Sequence, residues 1–263
     1  NAVVAFVLLL GGGLLTGAMA LKLNVQLGRL EILQGRSLMS RAHGYWSLGF
    51  FVTSLGAASI RQAGIPAPVH LAGVFAIVLV AGSIMIWGLG EAPKPASQEN
   101  DKPPLIAFPT PALLPLCLIG CVAFLIESAG VDWSTIYMRD VFEVAPFVGG
   151  LGLTLFTAVM AAARIFLGPV VDRYSPRAVV TVLLGISIAG LVAVWLAPHP
   201  YVAILGFGLM GGGCSAVYPL VVSAAAQRTD RPASINVAAI AQLSFVIFFL
   251  APPVLGLVAH AID

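Results

Sequence analysis

The chain has 263 residues, of which 59% are apolar and 9% are charged, and its mean hydropathy is +1.01. Soluble domains carry roughly 25% charged residues, so this composition leaves too little polar surface to cover a water-soluble fold. The net charge is only +2, and the basic residues are dispersed among the loops instead of forming a patch for nucleic acid. The composition therefore predicts an all-α polytopic membrane protein that contacts the lipid bilayer and has no nucleic-acid partner.

Eight apolar segments are long enough to cross a hydrocarbon layer, because a spanning helix needs about 20 residues at roughly 1.5 Å each. Backbone groups in lipid must be paired within their own segment, so each segment is predicted to be a helix. Proline at or just before several segment starts supports these boundaries, since the first N–H groups of a helix have no partner. The predicted spans, in chain order, are 1–23, 42–60, 68–90, 111–138, 146–170, 178–197, 201–226 and 234–260.

The interval 91–110 is polar and rich in proline, and it separates three predicted spans from five. Such a composition is typical of an extended linker. The predicted domains are therefore the remainder of an N-terminal helical half at 1–90, a linker at 91–110 and a C-terminal helical half at 111–263.

Basic residues alternate between the gaps that separate the predicted spans. Ten of the 13 lie in every second gap or, for Lys22, at the end of the span just before one. The opposite gaps hold only Arg61 and Arg139, and Arg164 lies inside a span. Lys and Arg residues that flank membrane helices are retained on the cytoplasmic side. The cytoplasmic side of the predicted topology therefore holds four intervals, 24–41, 91–110, 171–177 and 227–233.

Three consecutive glycines open similar stretches in the first and seventh predicted spans, at 11–13 and 211–213. A basic cytoplasmic loop follows in both cases. A period near 200 residues corresponds to six helices per repeat, as in transporters built from two parallel repeats. We therefore expect a chain truncated at both ends, with eight of twelve spans, which would not transport a solute by itself.

The loop between the fifth and sixth predicted spans reads Gly168-Pro-Val-Val-Asp-Arg-Tyr-Ser-Pro-Arg177. It resembles the G-x-x-x-D-R-x-G-R-[RK] motif of the major facilitator superfamily. In that motif glycine lets two helices approach, and Asp and Arg form charge-assisted bonds that latch the cytoplasmic side. Ser175 and Pro176 depart from the motif and weaken the expected turn and latch. The latch residues implied by the resemblance are Gly168, Asp172, Arg173, Arg177 and, one turn before them, Arg164.

Three further segments, 42–49, 127–140 and 251–256, resemble the MosC-like branch of this superfamily. The resemblance covers superfamily helices 4 to 11. It implies a bacterial inner-membrane carrier, built from two helical bundles related by a parallel repeat, that moves a small polar solute by rocking its two halves. A sugar, polyol or amino-polyol is the implied class of solute, and a monomer without a cofactor is the expected state.

Proton-coupled uptake is the predicted direction of transport. The second predicted span lacks the Gly-Pro pair with trailing glycines that is typical of antiporters, which favours symport; an efflux carrier is the alternative. No GxxxxGK[ST] sequence supports transport driven by ATP. A membrane enzyme or a channel is a remote alternative, because the four His residues are scattered and no HExxH occurs. No catalytic or metal site is therefore predicted.

Glu127 is the most informative candidate, because it lies deep in the fourth predicted span after sixteen residues without another charge. A carboxylate at such depth costs on the order of a few kcal/mol and faces either a pathway or a partner. Two interpretations stay open. Glu127 is either a carboxylate that binds protons or substrate, or a structural acid bonded to a serine or the backbone. Gly130 and Asp132 predict that the helix loosens just beyond it.

Further candidates for a substrate or proton pathway follow in the same span. Trp133 and Tyr137 are interpreted either as belt residues at the membrane interface or as aromatic faces for a substrate. Asp132 beside them is either solvated or part of the same site.

The remaining candidates are polar groups on other spans. Asn24 and Gln242 have interhelical hydrogen bonding as their default role. Tyr218 precedes Pro219 in a glycine-rich segment that is interpreted as loosened and lining a cavity. Arg164 is interpreted as a snorkelling or latch residue in preference to a substrate clamp.

The predicted topology can be tested by cysteine labelling of the full-length protein in a background without its native cysteines. Ser97→Cys, in the linker, should react with a membrane-impermeant maleimide only after intact cells are permeabilised, because the positive-inside rule places it in the cytoplasm. Ala63→Cys, in an opposite gap, is the matched control and should react in intact cells. Labelling of position 97 from outside would overturn the topology.

Overall fold

A computed structural model describes residues 2–34, 39–88, 90 and 106–262, apart from some side chains within the helices. Every regular element in these ranges is helical, as the sequence predicts. A π-helical turn, Ala129–Trp133, joins α4 to α5. The helices are α1 (Ala2–Gln34), α2 (Met39–Gln62), α3 (Ala67–Gly88), α4 (Leu114–Ser128), α5 (Ser134–Phe142), α6 (Pro146–Phe166), α7 (Gly168–Arg173), α8 (Pro176–Trp195), α9 (Pro200–Cys214), α10 (Val217–Ala226) and α11 (Ala233–Ile262).

Helices occupy all eight predicted spans, and six stretches of the described residues are long and apolar enough to cross a membrane. The chain is therefore a multi-pass membrane protein. The first two predicted spans correspond to α1 and α2, which are helical but are not among these six, so their crossing of the membrane stays a prediction. The six stretches are Ala67–Met85, Leu114–Phe142, Pro146–Phe166, Pro176–Trp195, Pro200–Ala226 and Ile235–Ala261.

The predicted cytoplasmic loop 24–41 is helical over its described length, which corrects the sequence interpretation. Helix α1 continues to Gln34, and α2 begins at Met39. The residues after the apolar run include Gln, Leu, Arg and Glu, which favour helix, and none of them is proline. Hydropathy marks the end of the apolar run, not the end of the helix. Of the predicted linker 91–110, residues 91–105 lie outside the described residues.

The chain divides into two compact units that do not follow the order of the helices. One contains Asn1–His43 and Val74–Asp101, and the other contains Gly44–Gly73 and Lys102–Asp263. The second unit therefore includes most of α2 together with α4 to α11. The predicted division at the linker 91–110 would separate α2 from helices α4 to α11, and it stays a prediction.

Helix α2 belongs with the second unit because small and polar residues bring it against α6. Gly150 of α6 faces Ala58 so closely that a Cβ at position 150 would lie 2.5 Å from the Ala58 Cβ. Ser54 also donates a hydrogen bond to the Thr154 hydroxyl at 3.3 Å. Small residues at an interface allow membrane helices to approach, and hydroxyl groups then bond across it.

The core of the second unit lies around Phe156, which is fully buried. Met138 of α5, Met160 of α6 and Phe207 of α9 pack in the same cluster. A separate cluster, including Cys117, Val221 and Ile240, joins α4 to α10 and α11. Helix α4 is therefore held on two sides, and this fixes the position of its C-terminal end.

Glycine allows three of these helices to pack at backbone distance. A Cβ at Gly190 of α8 would lie 2.6 Å from the Gly206 carbonyl oxygen of α9, and a Cβ at Gly206 would lie 2.8 Å from the Gly190 carbonyl oxygen. A Cβ at Gly211 of α9 would overlap the Phe156 carbonyl of α6. By contrast, a Cβ on any of the glycines 11–13 would meet no described atom within 4 Å, so the repeated glycine triplet packs differently in its two copies.

Gly211→Ala should destabilise the full-length protein by about 1–3 kcal/mol, because the added methyl group forces α6 and α9 apart. Gly185→Ala is the matched control in α8, since its Cβ would meet no described atom within 4 Å; its effect should stay within about 0.5 kcal/mol. Thermal unfolding of the purified variants in detergent measures both changes. Equal effects at the two positions would contradict the observed packing.

Candidate functional site

The helix that carries Glu127 changes its winding immediately after this residue. Helix α4 ends at Ser128, and residues Ala129–Trp133 form the π-helical turn. This confirms the prediction that the helix loosens beyond Glu127. Gly130 lies in the turn because a Cβ there would overlap the ring of Phe156. Such π-helical turns are frequent at functional sites.

A second irregularity lies between α9 and α10, where Pro219 explains a break in the helix. Residues 215 and 216 form a turn between the two helices. In a continuous helix the N–H of residue 219 would bond to the Ser215 carbonyl, but proline has no N–H. This confirms that the segment around Tyr218 and Pro219 is loosened, and it leaves the Ser215 carbonyl available to another donor.

Arg164 of α6 occupies the space between these two irregularities and bonds to three other parts of the chain. Its Nε donates to the freed Ser215 carbonyl at 3.1 Å. One terminal nitrogen donates to the Ser47 hydroxyl of α2 at 2.8 Å. The other pairs with Glu127 Oε2 at 3.4 Å.

The interpretation of Arg164 as a snorkelling residue is therefore wrong. Only 13% of its side chain is exposed, and its guanidinium points among α2, α4 and the α9–α10 break. Among the described residues, none of its partners lies in the loop 168–177. A snorkelling side chain would extend towards water, whereas this one meets acceptors inside the helical bundle.

The Glu127–Arg164 ion pair neutralises two charges inside membrane-spanning helices. Glu127 is 25% exposed, so the pair is partly buried but not sealed. Removing one partner of a buried pair leaves an uncompensated charge and costs about 3–5 kcal/mol, whereas exposed pairs contribute about 0–1 kcal/mol. Any chemistry at Glu127 therefore acts on Arg164 and on the helices to which it bonds.

Comparison with known proteins agrees with this architecture. Residues 35–252 match the sequence profile of the Major Facilitator Superfamily. The chain belongs to the Major Facilitator Superfamily. The resemblance seen in the sequence is thereby confirmed, together with the all-helical fold that it implies.

Three relatives show how similar this superfamily protein is to known proteins. An uncharacterised MFS-type transporter of Yersinia pestis is 28% identical over 98% of this chain and 66% of its own length. The uncharacterised transporter y4wD of Sinorhizobium fredii is 28% identical over 95% of this chain and 66% of its own. The membrane protein MosC of Rhizobium meliloti is 28% identical over 56% of this chain and 37% of its own. The chain thus spans 66% of the length of the first two. No solved structure matches it.

The other candidate residues of the fourth predicted span, all within the described part of the chain, form no hydrogen bond to Glu127 or Arg164. Asp132 accepts a hydrogen bond from Ser128 at 2.7 Å. The Tyr137 hydroxyl donates to the Val194 carbonyl at 2.7 Å, which fastens α5 to the end of α8. The Trp133 ring faces Gly256 of α11, and its Nε1 is buried without an acceptor among the described residues. Of Asp132, Trp133 and Tyr137, Trp133 is thus the one whose N–H donor has no acceptor among the described residues.

The candidates on other helices divide between packing and anchoring. Tyr218 packs edge-on against Phe124 of α4, with ring centroids 4.6 Å apart, and Phe124 lies one helical turn before Glu127 on that helix. The side-chain carbonyl of Gln242 accepts from the Ala107 backbone N–H at 2.9 Å and so anchors the chain before α4. The side chain of Asn24 lies outside the described residues.

The motif loop of this Major Facilitator protein differs from the expected latch. Gly168 begins α7, but a Cβ there would meet no described atom within 4 Å, so close helix approach does not explain this glycine here. The guanidinium of Arg173 lies 5.7 Å from the centre of the Tyr174 ring, and Arg177 is exposed near the start of α8. The side chain of Asp172 lies outside the described residues. Ser175 accepts from the Ala178 N–H at 3.3 Å and caps α8 with its side chain, which the glycine of the motif could not do.

A polar cluster between α10 and α11 was missed in the sequence. Asp230 accepts hydrogen bonds from Arg228 at 2.9 and 3.0 Å, from Asn236 at 3.1 Å and from Thr110 at 3.5 Å. The bonds from Arg228 lower the pKa of Asp230 to about 2, so the carboxylate stays ionised at physiological pH. Arg231 donates to the Phe108 carbonyl at 2.8 Å. The cluster fastens the described end of the linker; the Arg-x-Asp spacing was its only sequence signal.

Among the described residues, no group of three His, Cys, Asp or Glu side chains could hold a metal ion.

The candidate site is the Glu127–Arg164 pair with its two supporting contacts, Ser47 and the Ser215 carbonyl.

A double-mutant cycle should show that the pair is energetically coupled. Glu127→Gln and Arg164→Gln should each cost about 3 kcal/mol, since each leaves one charge unpaired. The double variant should cost less than their sum, with a coupling energy of about 1–3 kcal/mol. Unfolding of the full-length protein in detergent measures the cycle.

The exposed Arg139–Asp140 pair provides the control, because its side chains are 63% and 53% exposed. The same cycle there should give a coupling energy below about 1 kcal/mol. Additive effects of Glu127→Gln and Arg164→Gln would contradict the ion pair.

Proposed function

We propose that the full-length protein is a secondary active transporter of the bacterial inner membrane that takes up a small polar solute together with protons. Membership in the Major Facilitator Superfamily supports a membrane transporter. Alternating access about a site between two helical halves is the mechanism that this architecture implies. The resemblance to the MosC-like branch favours a sugar, polyol or amino-polyol as the class of solute.

The Glu127–Arg164 pair is the observation that carries the proposal of proton coupling. A carboxylate within a membrane helix is costly and is retained where it performs a function. Glu127 is partly exposed, so protons can reach it, and its charge is balanced by Arg164 at 3.4 Å. Protonation of Glu127 removes that balance and frees Arg164 from one of its partners.

The surroundings of the pair allow such a change to move helices. Glu127 precedes the π-helical turn, and Arg164 holds the carbonyl that Pro219 leaves unpaired at the α9–α10 break. Both are places where helical hydrogen bonding is already interrupted. Rearrangement there disturbs fewer backbone bonds than it would in a continuous helix.

Glu127→Gln should separate binding from coupling in the full-length protein reconstituted into proteoliposomes. The amide keeps the shape of the carboxyl group but cannot exchange a proton. Counterflow of labelled solute should therefore persist, whereas accumulation driven by an inward proton gradient should fall to equilibrium. The probes are two sets of solutes, each with one carbon skeleton and three different charges: glucose, glucosamine and glucuronate; and glycerol, 2-amino-1,3-propanediol and glycerate.

Asp140→Asn is the matched control, because it removes an exposed carboxylate that is also paired with an arginine. This variant should accumulate solute as the unaltered protein does. If Glu127→Gln still concentrates a solute with an unchanged pH profile, Glu127 is a structural acid. Solute export under the same gradient would instead indicate the efflux alternative.

A further inference from the structure

We propose that the transported solute carries a carboxylate or an equivalent monoanionic group, which binds Arg164 when Glu127 takes up a proton. This inference rests on the proposed proton-coupled transport. It replaces the sugar, polyol or amino-polyol favoured there by an acidic relative of these solutes that is an anion at neutral pH. In the step, a proton from water forms an O–H bond on Glu127, and the solute anion replaces the Glu127 carboxylate as the counter-ion of Arg164.

Charge balance within the membrane is the first argument. With the pair intact, the site has no net charge. A proton alone would leave Arg164 uncompensated, and an anion alone would place two negative charges beside one arginine. A proton and a monoanion together keep the site neutral, so each favours the binding of the other.

Solutes of other charge do not share this balance. A neutral sugar that binds with a proton leaves the arginine charge without a counter-ion, and a cationic solute adds a second positive charge. Both outcomes carry the cost of an unpaired charge in a partly buried site. Coupling to protons through Glu127 therefore selects an anion.

The guanidinium retains capacity for a new acceptor, which is the second argument. Arginine carries five N–H groups. Among the described residues, Arg164 uses one on Nε and one on each terminal nitrogen. Each terminal nitrogen therefore keeps one N–H, and release of Glu127 frees a further one. Two parallel N–H groups are what a carboxylate needs for bidentate binding.

The bonds to Ser47 and to the Ser215 carbonyl hold the guanidinium in place while its counter-ion changes. Ser47 is buried and accepts at 2.8 Å, and the Ser215 carbonyl accepts at 3.1 Å. The Arg164 and Glu127 side chains are 13% and 25% exposed, so the described residues do not enclose the pair completely. A fixed and partly open arginine is suited to receive an anion.

The ionisable groups around Glu127 leave this assignment unchanged. Arg164 of α6 and the Cys214 thiol of α9 interact electrostatically with it. Tyr218 of α10 lies against Phe124, and Asp132 of the same span bonds to Ser128. Helix α11 carries no charged residue before His260. Arg164 is therefore the one permanent cation beside Glu127 among the described residues.

Binding of the two solute sets, whose members differ in charge, to the full-length protein in detergent tests the inference. Thermal stabilisation should occur with glucuronate or glycerate and not with their neutral or cationic counterparts. The anion affinity should fall by up to about tenfold for each unit of rising pH over the range in which binding takes up a proton, because one proton binds with each anion.

Variants separate the two roles. Glu127→Gln mimics the protonated acid, so it should bind the anion with an affinity that no longer depends on pH. Arg164→Gln should abolish the stabilisation. Arg164→Lys keeps the charge without the planar fork and should retain weaker, pH-dependent binding, which guards against a fold that Arg164→Gln disrupts. Asp140→Asn should bind as the unaltered protein does.

Preferential binding of a neutral or cationic member, pH-independent anion binding or no response to either anion would each overturn the inference. Proton-driven accumulation of glucose or glycerol would also overturn it and leave the proposed transport intact. Conversely, pH-dependent anion binding without counterflow in proteoliposomes would support the anion site and contradict the proposed transport.

Discussion

The need to neutralise a charge inside a membrane organises the second unit of this protein. Arg164 lies within a membrane-spanning helix, where a guanidinium without acceptors would be costly. The protein meets this need with a carboxylate, a hydroxyl and a backbone carbonyl from α4, α2 and the α9–α10 break. Because the three acceptors come from separate parts of the chain, one charged side chain connects α6 to α2, to α4 and to the α9–α10 break.

Glycine and proline create the geometry that this connection requires. Phe156 lies between Gly130, which faces its ring, and Gly211, which faces its carbonyl, so α6 is held closely by the π-helical turn and by α9. Arg164 follows two helical turns later on the same helix and is positioned by this contact. Pro219 then supplies the free carbonyl that a regular helix would have kept for itself. The glycines and the proline carry no charged or polar side chain, yet they determine where Arg164 meets its acceptors.

The sequence predicted the helices well, because lipid permits few alternatives for the backbone. It also predicted the loosening beyond Glu127 and around Pro219, since glycine and proline act locally. It did not predict the partner of Glu127, because Arg164 is 37 residues away and its depth in the bundle depends on packing. One signal was nevertheless available: Arg164 is the single basic residue within the last five predicted spans apart from those at their ends, and intramembrane charges tend to pair. The end of α1 was misplaced because hydropathy does not report where a helix of polar residues stops.

The contact between Arg164 and Ser47 gives the ion pair a wider consequence. Ser47 belongs to α2, before the proline-rich interval of the sequence, whereas Glu127 and Arg164 belong to helices after it. The strength of a hydrogen bond from arginine depends on how the guanidinium charge is balanced, because a carboxylate on one nitrogen weakens the attraction of the group for its other acceptors. A change of charge at Glu127 therefore alters the bond that Arg164 makes to α2. In the proposed transport, a proton or an anion at this site would in this way bias the contact between segments that a rocking mechanism separates, with no further element to transmit the change.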